Sequence, residues 1–234
     1  MASAEEAITI QSEKPRPARR GLGLSGLLTR EVAFFDNLLT LKSRVVILLA
    51  VIAMIPAFIF PLWNMSFYSN QYTDGLKLQI YAYHLEGGKT ANRDDLREVN
   101  ALNHYIGMKP LLESDFSEFT WLPFAFGGLI LLSLRAMVLG RMSRLVDVFV
   151  LFAWFGLYSF WSFYYRLYNY GHHLDPQAAI KVEPFTPPLI GRQQVGNFTV
   201  YSYPNLASYS LVAFAALLLV AILLSRKSAE GPAA

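Results

Sequence analysis

Four stretches of the chain are apolar over the length of a membrane span: Val45 to Trp63, Trp121 to Gly140 with Arg135 as its single charge, Val148 to Tyr165, and Leu206 to Ser225. A bilayer's hydrocarbon core, about 30 Å thick, takes about 20 helical residues. A segment that leaves water must also satisfy its own backbone groups, which a helix does. The pattern therefore predicts transmembrane helices over 44–63, 120–140, 145–165 and 206–225, the middle two joined by a short turn over 141–144. Arg135 lies near one end of its span, where a long side chain can snorkel to the headgroups.

The intervening segments carry different patterns. Within 64–119, Leu76 to Tyr83 alternates apolar and polar residues as a half-buried strand does. Beyond the Gly87-Gly88 turn, Asn92 can cap a helix with Asp95 three residues on, and Leu96, Val99, Leu102 and Ile106 form its buried stripe until Gly107 ends it. The acidic residues Asp94, Asp95, Glu98, Glu113, Asp115 and Glu118 read as a solvated helix face and a headgroup-level rim. Segment 166–205 is rich in proline and glycine, which argues for a loop without long helices; its Ile180, Val182, Phe185, Leu189, Ile190 and Phe198 argue that it packs against something. The expected fold class is an α-helical integral membrane protein: four transmembrane helices plus a small mixed α/β extracytoplasmic cap made by both segments. Residues 1–22 have the composition of a disordered tail. Residues 23–43 fit an interfacial amphipathic helix, or else an extension of the first span, and 226–234 form a second tail.

Charge sets the orientation. With both termini in the cytoplasm, 12 of the 20 Lys and Arg residues fall inside, among them Arg44, Arg135, Arg141, Arg144, Arg226 and Lys227. The outside then carries about −2 and the inside about +5, as the positive-inside rule requires. The slight overall basicity is thus topological and gives no reason to invoke nucleic acid. The hydrophobic fraction of 54% and the positive mean hydropathy agree with a multi-pass protein of the bacterial inner (plasma) membrane. Charges interrupt any apolar core after Arg19-Arg20, so no cleaved signal is expected, and the first span serves as a signal anchor.

The chain has no cysteine, which removes disulfides and thiolate chemistry together. All four histidines, His84, His104, His172 and His173, fall on the non-cytoplasmic side of this topology with Met65 and Met108. Imidazole and thioether suit copper, particularly Cu(I), so His84, His104, Met108, His172 and His173 are candidate metal ligands and copper the candidate cofactor. Helical spacing puts Asn100 and His104 on one face, with Met108 a turn further if the helix continues. Against this, polar-face histidines are more often solvated than metal-bound, and no His-x-x-x-His spacing occurs. The spans contain no histidine to ligate haem. Hydrolase motifs and phosphate-binding glycine loops are absent, and no catalytic residue is nominated. Arg135 and Asp147 read as a structural pair closing the hairpin between the second and third spans. The aromatic third span, with Trp154, Tyr158, Trp161, Tyr164, Tyr165 and Tyr168, partly forms an interfacial belt and suits contact with partner helices or lipid.

Three segments, Asn103-His-Tyr-Ile-Gly-Met108, Trp121-Leu-Pro-Phe, and Leu174-Asp-Pro-Gln-Ala-Ala-Ile-Lys-Val-Glu-Pro-Phe-Thr-Pro-Pro-Leu-Ile-Gly191 with Asn197-Phe198 after it, resemble a poorly characterised family of small bacterial membrane proteins associated with nitrous oxide reductase accessory gene clusters. The likeness covers roughly Phe60 to Asn205. It implies a non-catalytic role in maturing, supplying copper to, or passing electrons toward a periplasmic copper enzyme in denitrification. The chain departs from copper carriers in lacking cysteine ligands.

The leading expectation is a membrane accessory protein supporting a periplasmic metalloenzyme, by copper supply or maturation of nitrous oxide reductase. The alternative is a non-catalytic structural subunit of a respiratory or other membrane complex. Its expected partners are the lipid bilayer and other membrane or periplasmic proteins. A third possibility, an enzyme acting on a lipid or exported substrate, requires acidic residues to converge with a histidine in a pocket.

Overall fold

The computed structural model describes residues 32–229, with side chains described to residue 226. Expectations for the tail over 1–22, the first nine residues of the helix over 23–43 and the last residues of the chain lie outside this range. Within it, residues 32–36 are helical and 37–40 are not, so no single helix continues to residue 43. The chain is pinned there instead: Leu38 bridges Arg141, the Leu39 N–H donates to Gly140 O at 2.7 Å, and the Met142 N–H donates to Asn37 O at 2.9 Å.

Among the described residues, four helices are long and apolar enough to cross a membrane. Helix α1 (Leu41–Met54) starts at the cap Thr40, whose side chain accepts from the Ser43 N–H, and tightens into a 3-10 turn over Ile55–Phe58. It stops short of the expected 63 because Pro56 and Pro61 cannot supply the N–H groups that would continue it. Helices α3 (Glu118–Leu139) and α5 (Leu206–Ala229) sit close to their expected positions. Helix α4 (Met142–His172) does not: at 31 residues it runs seven beyond the expected end, into what was read as a proline-rich loop. At 1.5 Å per residue it is about 46 Å long, well over a 30 Å hydrocarbon core. Gly140, with φ +66, turns α3 into α4; the Arg44 guanidinium lies where a Cβ would stand. Each helix runs antiparallel to its neighbours in the ring α1-α3-α4-α5. The tightest contact, α1 against α5, is fastened at its basic end by hydroxyls: Ser225 Oγ donates to Ser43 Oγ at 2.7 Å, Ser43 Oγ lies 2.9 Å from Thr40 Oγ1, and the Thr40 N–H reaches Ser225 Oγ at 3.4 Å.

At the other end stands an antiparallel five-stranded sheet of order β3-β2-β1-β7-β6, formed by β1 (Trp63–Tyr68), β2 (Leu76–Ile80), β3 (Leu85–Gly87), β6 (Gly191–Val195) and β7 (Phe198–Pro204). A second ribbon pairs β4 (Lys89–Thr90) with β5 (Arg93–Asp94), and helix α2 (Asp95–Tyr105) follows. The cap of α2 is Asp94, whose carboxylate accepts from the Leu96 and Arg97 N–H groups, rather than Asn92, which lies in the preceding turn.

Of the five main strands, the alternation analysis anticipated only β2. The central pair β1–β7 grows directly out of the helix pair α1–α5, with Trp63 opposite Pro204, Met65 opposite Ser202 and Phe67 opposite Val200. The junction is locked by Ala207 N–H to Pro61 O, Asn205 N–H to Leu62 O and Asn205 Nδ2 to Asn64 Oδ1. Strands β6 and β7 form a hairpin through Gly196-Asn197, with Gly196 at φ +54, the position a two-residue turn reserves for glycine. Period-two alternation turns Trp63, Met65, Leu78 and Val200 to one face, where they form a core with Leu167 of α4; Ser66, Thr199, Tyr201 and Tyr203 line a groove on the other.

Candidate functional site

A chamber of about 1510 Å³ lies between the inner face of the sheet, the upper half of α4, the first turns of α5, helix α2 and the 180–187 segment. It exceeds the usual small-molecule pocket of about 300–1,000 Å³. Sequence geometry explains its walls. Along α4, Phe152, Phe155, Gly156, Ser159, Ser162, Phe163 and Arg166 recur at helical steps of three and four and all line it. Gly156 meets open space, with no atom within 4 Å of a Cβ placed there. Across the gap stand Tyr209 and Val212 of α5, 59% and 66% exposed, so the chamber opens sideways between α4 and α5 at the level of the apolar helices. Upward it reaches Gln71, Glu98 and Asn197 at the rim of the sheet.

Three polar features interrupt this lining, the first a corner between α3 and α4. Glu118, in the first turn of α3, accepts from Arg166 Nε at 2.8 Å, from Arg166 Nη2, and from Ser162 Oγ at 2.8 Å. Arg166 Nη1 donates to Asp115 O at 2.9 Å, and the guanidinium lies 5.0 Å above the Phe116 ring. The bidentate geometry fixes α3 to α4, and the helix N-terminus favours the carboxylate. Second, Tyr72 donates to Glu98 at 2.8 Å; this bond, then burial, pushes the Tyr72 hydroxyl pKa above its ordinary value. Third, the Ser159 hydroxyl is buried in the wall with no hydrogen-bond partner among the described residues. Two other buried helical serines bond backwards to carbonyls, Ser133 to Leu129 O at 2.7 Å and Ser210 to Ala207 O at 2.7 Å.

The acidic residues read as a solvated face are mostly engaged. Glu113 accepts from the Leu85 N–H, Glu98 from Tyr72 and Glu118 from Arg166, while Asp95 is buried. Arg135 and Asp147 do not close the helical hairpin: Asp147 pairs with Arg144 at 3.7 Å, and Arg135 is exposed.

The candidate metal ligands fall on three separate elements. His84, on the turn after β2, stacks on Tyr81 at 4.3 Å and faces Tyr83 at 4.5 Å; its Nε2 stands 4.0 Å from Glu86, and its Nδ1 is buried without a partner among the described residues. Burial and Glu86 push the Tyr81 hydroxyl pKa up. His104 is exposed near the end of α2. Met108 parts from it: Gly107 at φ +79 breaks the helix, the Met108 N–H turns back to Asn103 O at 2.8 Å, and the residue lines the chamber. His172 and His173 close α4 together, their Nδ1 atoms 3.0 Å from Tyr168 O and 3.2 Å from Asn169 O. Because a carbonyl only accepts, each Nδ1 is the donor, and in a neutral imidazole the Nε2 then keeps its lone pair. No group of three or more His, Asp or Glu side chains suited to a metal ion occurs among the described residues.

The motif-bearing segments of the sequence meet in space. Asp175 N–H donates to Gly107 O at 2.8 Å and Ile180 N–H to Tyr105 O at 2.9 Å, so the Asn103–Met108 turn and the loop after α4 form one wall. Sequence reasoning missed the Glu118–Ser162–Arg166 corner. Its signal was an acid at the head of one apolar run, read as a rim charge, and a base just past the end of another, to which no role was given. Comparison of the chain with family models, with curated proteins and with solved structures finds no match.

Proposed function

We propose that this is a four-span protein of the bacterial inner membrane, both termini cytoplasmic, which holds a long-chain lipid between its helices and an extracytoplasmic cap. The observation that carries this reading is the chamber of about 1510 Å³, which opens sideways between α4 and α5 and rises beneath the sheet. A crevice at that level receives acyl or isoprenoid chains from the bilayer, and the cap keeps their polar ends out of bulk water. The orientation rests on charge: Lys42, Arg44, Arg135, Arg141, Arg144 and Arg226 cluster at the end opposite the sheet. Purified protein extracted with organic solvent should release a stoichiometric lipid, and Gly156→Trp, which fills the open space, should reduce its yield at least fivefold. Wild-type protein free of lipid overturns the proposal.

A second reading, a copper-supplying accessory to a periplasmic enzyme such as nitrous oxide reductase, is favoured by one observation. The His172 and His173 rings are each held at Nδ1 by a backbone carbonyl, a contact of the kind that orients an imidazole for a metal at its other nitrogen. Imidazole nitrogens are donors that soft Cu(I) accepts. Titration with Cu(I) should show one equivalent bound, lost in the His172→Ala, His173→Ala double variant; no binding by wild type removes this reading.

A further inference from the structure

The charges of the chamber say what kind of lipid it takes. Among the described residues its lining includes three carboxylates, Glu98, Glu118 and Glu183, against a single guanidinium, Arg166, and no lysine, a formal charge of −2. Arg166 is already committed, with Nε and Nη2 on Glu118 and Nη1 on Asp115 O. A phosphate or carboxylate headgroup entering here would leave the bulk lipid's hydration, meet no free cation and face net negative charge at reduced dielectric. What the corner does offer is a hydroxyl acceptor. Ser162 Oγ gives its proton to Glu118 and keeps its lone pairs, whereas the Glu118 carboxylate already takes four donors, Arg166 Nε and Nη2, Ser162 Oγ and, at 3.4 Å, Ser117 Oγ.

From this balance we infer that the chamber selects an electroneutral lipid whose polar end carries a hydroxyl donor, seated at the Ser162 oxygen beside the Glu118–Arg166 pair, with its chain running down past Gly156 between α4 and α5. The inference rests on the lipid-holding reading and narrows it. The chemistry is shared by a diacylglycerol and by a long-chain quinol, and the aromatic wall of Trp63, Phe155 and Phe163 accommodates either.

The test uses full-length protein, delipidated in detergent, offered mixed micelles containing in turn dioleoylglycerol, an isoprenoid quinol or dioleoylphosphatidylglycerol, with bound lipid counted by native mass spectrometry. At least one neutral lipid should bind tenfold or more tightly than the anionic one, and which does so identifies the source. Ser162→Ala should weaken the neutral lipid several-fold. Glu118→Gln frees the Arg166 charge and should raise phosphatidylglycerol binding at least fivefold, a gain that a misfolded variant cannot imitate. Wild-type protein that binds phosphatidylglycerol as well as the neutral lipids overturns the inference and leaves the lipid-holding reading standing. Wild-type protein that binds none of the three overturns both.

Discussion

Asp95 shows how much a single side chain can organise. It is 2% exposed, accepts the Lys77 N–H at 2.9 Å and Arg93 Nε at 2.7 Å, and lies so close to Gly88 that a Cβ there would stand 2.4 Å from its carboxylate. It thereby ties β2, the β4–β5 ribbon and α2 into one unit. Removing one partner of a buried pair leaves the other unsatisfied, so Asp95→Ala should cost about 3 kcal/mol, read as a lowered melting temperature. Glycine at 88 is part of the same device, since a side chain would displace the carboxylate. Tyr72 gives the cap a pH signature. Its bond to Glu98, then burial, raises its pKa above the ordinary 10.0. A raised acid favours the protonated fold, so this stabilisation is complete below pH 10 and is lost as pH rises through the folded value. Tyr72→Phe should cost about 1 kcal/mol at neutral pH, and its deficit relative to wild type should shrink above pH 10; a constant deficit would contradict the assignment.

At the scale of elements, the chain reads by two codes that differ in strength. A span needs some 20 apolar residues, so α3 and α5 lie close to where the runs of Trp121–Gly140 and Leu206–Ser225 put them. A strand needs only five, and β1 was hidden because Trp63-Asn-Met-Ser-Phe-Tyr68 abuts an apolar span and shares its first tryptophan. The β6–β7 hairpin did carry a local signal, Gly196-Asn197 between short alternating runs, but the five prolines of 166–205 outweighed it. The end of α4 misleads for a different reason. Its last two turns are polar and aromatic, so hydropathy ends the helix at about 165, whereas packing of Leu167 against the sheet carries it on to His172. Gly171 fixes that packing: the Phe185 N–H donates to its carbonyl at 3.1 Å, and a Cβ on it would lie 1.8 Å from Phe185 O. Gly171→Ala gains helix propensity on α4 yet must push the loop away from it. The expected outcome is lower stability and proteolytic cleavage within 174–190, with α4 itself intact. The chamber lay beyond the sequence because it is made where this extended helix, the unrecognised strands and the loop meet.

For the molecule as a whole, the basic end and the sheet end lie opposite each other, joined by the α1–α5 helix pair, which leads into the β1–β7 strand pair through residues 55–62 on one side and Asn205 on the other. A membrane orientation follows from that axis under the proposed four-span reading, and the absence of cysteine makes it directly testable. Gln193 is exposed on the edge strand β6, and Arg144 is exposed in the first turn of α4 at the opposite end. Gln193→Cys should react with a membrane-impermeant maleimide in intact spheroplasts, while Arg144→Cys should react only after the membrane is permeabilised. Neither residue lines the chamber, so neither substitution disturbs lipid binding. The reverse labelling pattern would invert the protein and move the chamber's upper mouth to the cytoplasmic leaflet. Labelling of both sites in sealed spheroplasts would reject the span assignment itself, because a bilayer must separate the two ends if the four helices cross it.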